Sequence, residues 1–318
     1  MKKHYVENLS DYIGTEIVSF FAISEKSLRK SRAGKSYIRV TCIDKTGQII
    51  GNIWDNVKHL ESQFSIGDIV KVKASVDIYE SNLQLNISNV RKAEGSEYEI
   101  SDFSPATTKN INKLTEQLFQ YLDSIENKYL NKLLHLFFDD KEFLKKFISA
   151  PAAKSWHHNK VGGLIHHTIT VTNICDSVAP IYQDNDIDRD LLVCCAILHD
   201  IGKVNEYHLR PFIDFTDEGK LVGHIVIGDK MVVDKIQQIN NFPPMLKNKI
   251  RHLLLSHHGE REKGAVVLPK TKEAILLHYA DNMDAHIMGV QDLIEKAKKQ
   301  NRDWTEYNNL TKREYYTK

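Results

Sequence analysis

Leu191-Leu192-Val193-Cys194-Cys195-Ala196-Ile197-Leu198-His199-Asp200-Ile201-Gly202-Lys203 is the stretch on which the fold turns. Eight apolar residues in a row leave no polar face, so they read as a helix buried on all sides. His199 and Asp200 close that run and point into a core, where a polar or charged group is costly without a partner. Imidazole nitrogen and carboxylate oxygen are donors that divalent manganese, iron or zinc accept. The stretch therefore predicts a buried metal-ligating pair inside a helical domain.

Outward from it, the helical pattern covers residues 111–300, with a lead-in over 111–150 where Leu114, Leu118, Tyr121 and Leu122, then Leu130, Leu133, Leu134 and Phe137, share faces. Breaks fall at Pro151, Gly162-Gly163, Pro180, Gly202, Pro211, Pro243-Pro244 and Gly259. A polar, tyrosine-rich tail occupies 301–318. Upstream the period changes to two. Ile38, Val40 and Cys42 alternate with Tyr37, Arg39 and Thr41, and Val70, Val72, Ala74, Val76 and Ile78 alternate with Lys71, Lys73, Ser75, Asp77 and Tyr79. With Thr15–Ile23, Gln48–Trp54 and a run through Leu83, Leu85, Ile87 and Val90, this makes five short strands. Residues 1–95 thus predict a five-stranded OB-type barrel, and residues 96–110 a linker. The fold class is multi-domain α+β, the barrel preceding an all-α domain.

The 318 residues carry a net charge of +1, so any nucleic-acid contact must come from a local patch. No run approaches the ~18 apolar residues of a spanning helix, and no signal segment stands at Met1–Ser10, so a cytoplasmic protein without membrane contact is expected. Cys42, Cys175, Cys194 and Cys195 lack C-x-x-C spacing and read as buried thiols.

Five histidine or aspartate sites recur along the helical half: His166-His167, His199-Asp200, His224, His257-His258 and Asp281. Each lies within or at the end of an apolar run and beside a helix break. Their repetition on successive buried helices points to a metal centre.

The order His167, His199-Asp200, Asp281 resembles the HD phosphohydrolase superfamily, and the added His224 and His257-His258 resemble members that hold two metals. Gly162-Gly163-Leu164-Ile165-His166-His167-Thr168, His199-Asp200-Ile201-Gly202-Lys203, Ser256-His257-His258-Gly259 and His278-Tyr279-Ala280-Asp281-Asn282-Met283-Asp284 are similar to YhaM-type 3′–5′ exoribonucleases. So is the order of a barrel ahead of an HD domain. The resemblance implies that His167, His199, Asp200 and Asp281 hold one ion. It implies that His224, His257 and His258 hold a second, with Asp200 as a bridging catalytic ligand. His166 stands where the family motif more often has an acid, so either His166 or His167 can be the ligand, with His167 preferred because it precedes Thr168. The resemblance also supplies the 3′–5′ polarity and a preference for manganese, with cobalt, iron or zinc as further candidates and one or two ions per site.

Such ions acidify water for in-line attack on phosphorus. Beside them, Lys203 is a candidate to hold a phosphate oxygen, His157 and His158 to reach substrate phosphate, and Asp284 to orient a ligand histidine. In the N-terminal half, Glu25 to Arg39 reads as a basic loop between the first two strands. Lys26, Arg29, Lys30, Arg32, Lys35 and Arg39 supply its charge, and Tyr37 is an outward aromatic for base stacking. Single-stranded RNA is the expected substrate, with single-stranded DNA as a second candidate and a homo-oligomer as the expected assembly. Two other readings remain open: hydrolysis of a small nucleotide, or a DNA-binding, replication-related protein with secondary nuclease activity. The barrel argues against the first, as does Glu260-Arg261-Glu262 after Gly259 in place of the Gly-Tyr-Pro of cyclic-di-GMP enzymes. The complete ligand set argues against the second.

Overall fold

The structure is a computed structural model that describes residues 2–31, 33–103, 107–154, 158, 160–209 and 212–318. It divides into two compact units, Met1–Ala106 with Leu209–Asp214, and Thr107–His208 with Phe215–Lys318.

The first unit is a closed five-stranded barrel. Strands β1 (Glu16–Lys30), β2 (Ser36–Asp44), β3 (Gly47–Ile53), β4 (Ile69–Tyr79) and β5 (Asn82–Lys92) lie in the order β1-β2-β3-β5-β4, with α1 (Val57–Glu61) between β3 and β4. The alternation read in β4 holds from Val70 to Val76, all buried; Ile78 runs past the barrel end and is exposed. In β5 the apolar spacing stretches to three between Ile87 and Val90. A register shift explains it: Lys73 pairs with Asn89 and Ala74 with Ile87, leaving Ser88 as the extra residue.

Two expectations are corrected here. The basic stretch is not a loop. β1 continues through it and pairs with β2 as Lys26 with Val40, Ser27 with Arg39, Leu28 with Ile38 and Arg29 with Tyr37. Lys26, Arg29 and Lys30 thus sit on a paired two-stranded ribbon. Nor is residue 96 the start of a linker. Phe103 buries with Ala22, Ile69 and Ala93 against Tyr98, and Glu97 accepts from Arg91 at 2.7 and 2.6 Å, so residues 95–103 fold onto the barrel.

The second unit contains α2 (Ile111–Asp123), α3 (Lys128–Phe138), α4 (Lys141–Ser149), α5 (Gly163–Val178), α6 (Arg189–Leu198), α7 (Lys203–Glu206), α8 (Asp217–Val222), α9 (His224–Ile236), α10 (Pro244–Ser256) and α11 (Lys272–Lys299). Between α7 and α8 the chain forms a small two-stranded ribbon, β6 (Tyr207–Leu209) paired with β7 (Ile213–Phe215). Side-chain caps start the helices where the sequence changes period, Asn110 for α2, Asn127 for α3, Asp188 for α6 and Thr271 for α11. α6 is buried from Leu191 to Leu198, and α3, α5, α10 and α11 contribute to the same core. Residues 302–318 are folded, with bridges Trp304–Tyr316 and Asn308–Arg313.

In the barrel, Lys2 Nζ and Asp44 Oδ2 form a buried ion pair at 2.9 Å, with Lys2 also over the Phe21 ring. Removing one partner leaves the other charge buried, which costs about 3–5 kcal/mol. Lys2→Ala should lower barrel stability by that amount in urea unfolding; a loss below about 1 kcal/mol would mean that water reaches Asp44 freely.

Candidate metal centre

The buried α6 delivers His199 and Asp200 at its end. α5 carries His167 on its second turn, α9 opens with His224, α10 ends just before His257-His258, and α11 presents Asp281. These elements meet because Gly202 lets two backbones touch: a Cβ there would lie 2.0 Å from the His224 carbonyl oxygen. Gly259, in the left-handed region at φ +77°, makes similar room for the His278 ring.

Four donor atoms form a first cluster. His167 Nε2 lies 3.2 Å from His199 Nε2, 3.4 Å from Asp200 Oδ2 and 3.2 Å from Asp281 Oδ1. His199 Nε2 lies 3.3 Å from the same Asp200 oxygen and 3.9 Å from Asp281 Oδ1. Neighbouring ligands of one ion at ~2.1 Å bonds sit about 3 Å apart, so these spacings suit a shared cation. A second cluster collects His224, His257 and His258, whose candidate donor atoms lie within 4.8 Å of one another. Asp200 stands between the two: Oδ2 faces the first, and Oδ1 lies 3.4 Å from His224 Nε2 and 3.7 Å from His257 Nε2.

Hydrogen bonds aim the rings. The Nδ1–H of His199 donates to Ala196 O (2.8 Å), that of His257 to Leu254 O (2.6 Å) and that of His258 to Lys263 O (2.8 Å). His167 Nδ1–H donates to Asp284 Oδ2 (2.6 Å) and His224 Nδ1–H to Glu206 Oε1 (3.1 Å). These assignments follow from the acceptors, which have no proton to give. All five rings then turn an Nε2 lone pair inward.

The donor set fits a divalent metal. Asp200 Oδ1, His224 Nε2 and His257 Nε2 are buried with no hydrogen-bond partner among the described residues, although they converge. A cation satisfies all three, where a single proton, shared between one ring and the carboxylate, can serve only two. The first cluster likewise calls for positive charge. Burial opposes a charged His167, yet Asp200, Asp281 and Asp284 hold its pKa well above the ordinary range. Burial also opposes charge on Asp200, and Lys203, His199 and His167 hold its carboxyl well below the usual value.

His167, not His166, reaches the cluster; His166 turns to Thr107 Oγ1 at 3.3 Å and to the His158 ring. Lys203 is buried and pairs with Asp200 Oδ2 at 2.6 Å, so it does not stand free for a phosphate oxygen. His158 is fully buried and bonded to Asp284, so it does not stand free to reach substrate phosphate as expected. Its neighbour His157 lies outside the described residues, as does Arg32. Glu206 was not singled out in the sequence; its only signal is an acid three residues past Lys203, at the end of a very short helix.

On the barrel, Lys26 is engaged internally. Its Nζ donates to the carbonyls of Glu61 and Phe64 and lies 4.1 Å from the Phe64 ring centre. Arg29, Lys30 and Lys35 are exposed, Lys35 pairing with Asp55 at 2.8 Å. Tyr37 stacks on Trp54 at 4.3 Å between ring centres. Arg39 opens on a groove with Gln48, Ile50, Tyr79 and Gln84.

Residues 164–286 match the HD domain family, and residues 23–93 match the OB-fold nucleic acid binding domain. The 3′–5′ exoribonuclease YhaM of Bacillus licheniformis is 32% identical over 290 residues, 90% of each chain. The chain belongs to the YhaM 3′–5′ exoribonuclease family. The YhaM proteins of Bacillus subtilis and a Geobacillus species are each 31% identical, the match covering 90% of this chain and 90% and 87% of theirs. Both clusters and the shared Asp200 fall inside the HD match of this YhaM relative.

Acidity tests the buried histidines. Burial lowers the pKa of His158 and His257, of His166 to about 4 and of His258 to about 3, against an unfolded value of 6.5. Below 6.5 the unfolded chain takes up protons that these rings refuse, so stability falls with falling pH. His167, whose pKa is raised, is already protonated in both states below 6.5 and adds nothing to this slope. Thermal unfolding of metal-stripped protein should show a midpoint dropping steadily from pH 6.5 toward 4. A level or rising midpoint would contradict this.

A second outcome concerns Gly202. Gly202→Ala should cost about 1–3 kcal/mol through overpacking and lower the bound-metal content. Unchanged metal content and midpoint would show that α9 can shift without cost.

Proposed function

We propose that this chain is a metal-dependent exonuclease that hydrolyses phosphodiester bonds of single-stranded RNA from the 3′ end, and of single-stranded DNA as a second substrate. The observation that carries the reading is Asp200, whose two carboxylate oxygens each face a separate histidine cluster. His167, His199, Asp200 and Asp281 hold one ion and His224, His257 and His258 a second. Manganese is the preferred metal, and cobalt, iron or zinc also suit these donors. Bound there, divalent ions acidify water and offset charge on the phosphoryl oxygens.

The protein's own residues do the rest. Nδ1 anchoring keeps every ligand ring in one tautomer. Lys203 adds a fixed positive charge beside Asp200. Arg29, Lys30, Arg32 and Lys35 supply phosphate attraction on the barrel, and Arg39 with the Tyr37–Trp54 stack offers a surface for bases. Cys42, Cys175, Cys194 and Cys195 are buried and free, as suits work in the reducing cytoplasm. Self-association is part of the reading: Ile275, Tyr279, Met283 and Ile287 form an exposed apolar row on α11.

With 5′-labelled single-stranded RNA, metal-stripped protein should be inactive and manganese should restore a ladder shortening from the 3′ end. Asp200→Ala should reduce the rate at least ~10³-fold, since it removes a ligand from both clusters. Internal cuts, or full activity of the variant, would sink the proposal. Tyr37→Ala should weaken RNA binding by roughly 1–3 kcal/mol. Lys26→Met should leave binding nearly unchanged, because Lys26 already serves internal carbonyls. Equal losses in the two variants would show that the ribbon, not the aromatic face, holds the strand.

A further inference from the structure

His158 has no part in the chemistry above, yet the fold holds it firmly. Its ring is fully buried and packs edge-on against His166, with centroids 4.5 Å apart. Its Nε2 lies 2.9 Å from Asp284 Oδ2, the same oxygen that His167 Nδ1 reaches at 2.6 Å. Two imidazole N–H groups thus converge on one carboxylate oxygen. The second comes from the ring whose Nε2 faces the first cluster.

The backbone is unusual at the same residue. His158 has φ +52°, a left-handed conformation unfavourable for a residue with a Cβ. Its carbonyl accepts from Ala152 N at 3.2 Å and Lys160 N at 2.8 Å. Gly163, the first residue of α5, admits that carbonyl: a Cβ there would lie 1.9 Å from the His158 oxygen. The start of the helix carrying His167 and the segment carrying His158 are therefore locked at one point. Strain that the surroundings over-determine in this way accumulates at functional sites.

We propose that His158 is a positioning residue of the metal centre: it donates to Asp284 Oδ2 and so holds the carboxylate that fixes the tautomer and aim of His167. The inference rests on the metal-centre reading above. A ring that merely filled space would need no donor at Nε2. The proposal needs one, so an apolar replacement and a donor-bearing replacement should behave differently. His158→Gln can still offer an N–H to Asp284; His158→Leu cannot.

Full-length protein, stripped of metal, is titrated with cobalt(II), and the visible absorption of the bound ion reports both affinity and ligand geometry. His158→Leu should bind cobalt about 10–100-fold more weakly and with an altered spectrum, while His158→Gln stays within about threefold of the parent. With manganese and single-stranded RNA, the Leu variant should lose kcat and keep its KM. Asp284→Asn should weaken cobalt binding as His158→Leu does, and combining the two should add nothing further. If the Leu variant does not fold, His158→Asn takes its place in the same comparison: asparagine tolerates the left-handed backbone at this position but is too short to carry an N–H to Asp284, so it should weaken cobalt binding where His158→Gln does not. Parental affinity and spectrum in the Leu variant, equal losses with Leu and Gln, or simple additivity with Asp284→Asn would each overturn the proposal. Wild-type protein that binds cobalt but leaves RNA intact would sink the nuclease reading and leave this one standing. Wild-type protein that binds no divalent ion would end both.

Discussion

A carboxylate buried at the end of an apolar helix is the constraint from which the helical unit follows. Asp200 is nearly inaccessible, and an isolated charge in that position would not survive without strong compensation. The fold brings it Lys203 from the next turn, His167 from α5, His199 beside it, and His224 and His257 from α9 and α10. Two of these partners are local to Asp200, and the other three come from distant points in the chain. Holding them together requires the helices to pack at fixed depth, and Gly202 sets the closest of these approaches.

The histidines show how that arrangement resists drift. His199 and His257 bond to carbonyls three residues earlier, in the last turns of their own helices, where carbonyls lack intrahelical partners. The same bond supplies the helix end with a donor and the ring with an orientation. His167 and His224 sit on helices rather than at their C-terminal ends, and each uses a carboxylate instead, Asp284 and Glu206. The acids outside the clusters are thus part of the aiming system.

Much of this was legible in the sequence. The ligand-type residues stood out because histidine and aspartate interrupt apolar runs beside helix breaks, and the barrel because β4 alternates cleanly from Val70 to Val76. Spacing along the chain could not tell what a polar side chain meets across the fold. Lys26 looked like one cation among six, and only the barrel end reveals that carbonyls of Glu61 and Phe64 surround it. His158 reads in the sequence as a residue to reach substrate phosphate, and neither its burial nor its left-handed backbone is announced by any pattern. Glu206 gave almost no signal because its partner, His224, lies across an intervening ribbon and helix. The ribbon strand over residues 25–30 gives no sign of itself in the sequence, because Lys26, Arg29 and Lys30 follow no two-residue alternation with Ser27 and Leu28.

That ribbon has a consequence for the state of the protein in solution. Between Glu16 and Ala22, β1 pairs with β4, and from Ala22 onward it pairs with β2 alone. Among the described residues, the far side of its second half therefore has no strand beside it, and such an open edge is a template for unwanted pairing between molecules. Lys26 is turned to the carbonyls of Glu61 and Phe64, while Arg29 and Lys30 lie exposed on that stretch. Like charges there repel a second copy of the same edge, so these cations guard against aggregation whether or not a nucleic acid is present. Neutralising the ribbon would expose a sticky edge as well as remove charge, and the amount of monodisperse protein would fall for a reason unrelated to catalysis.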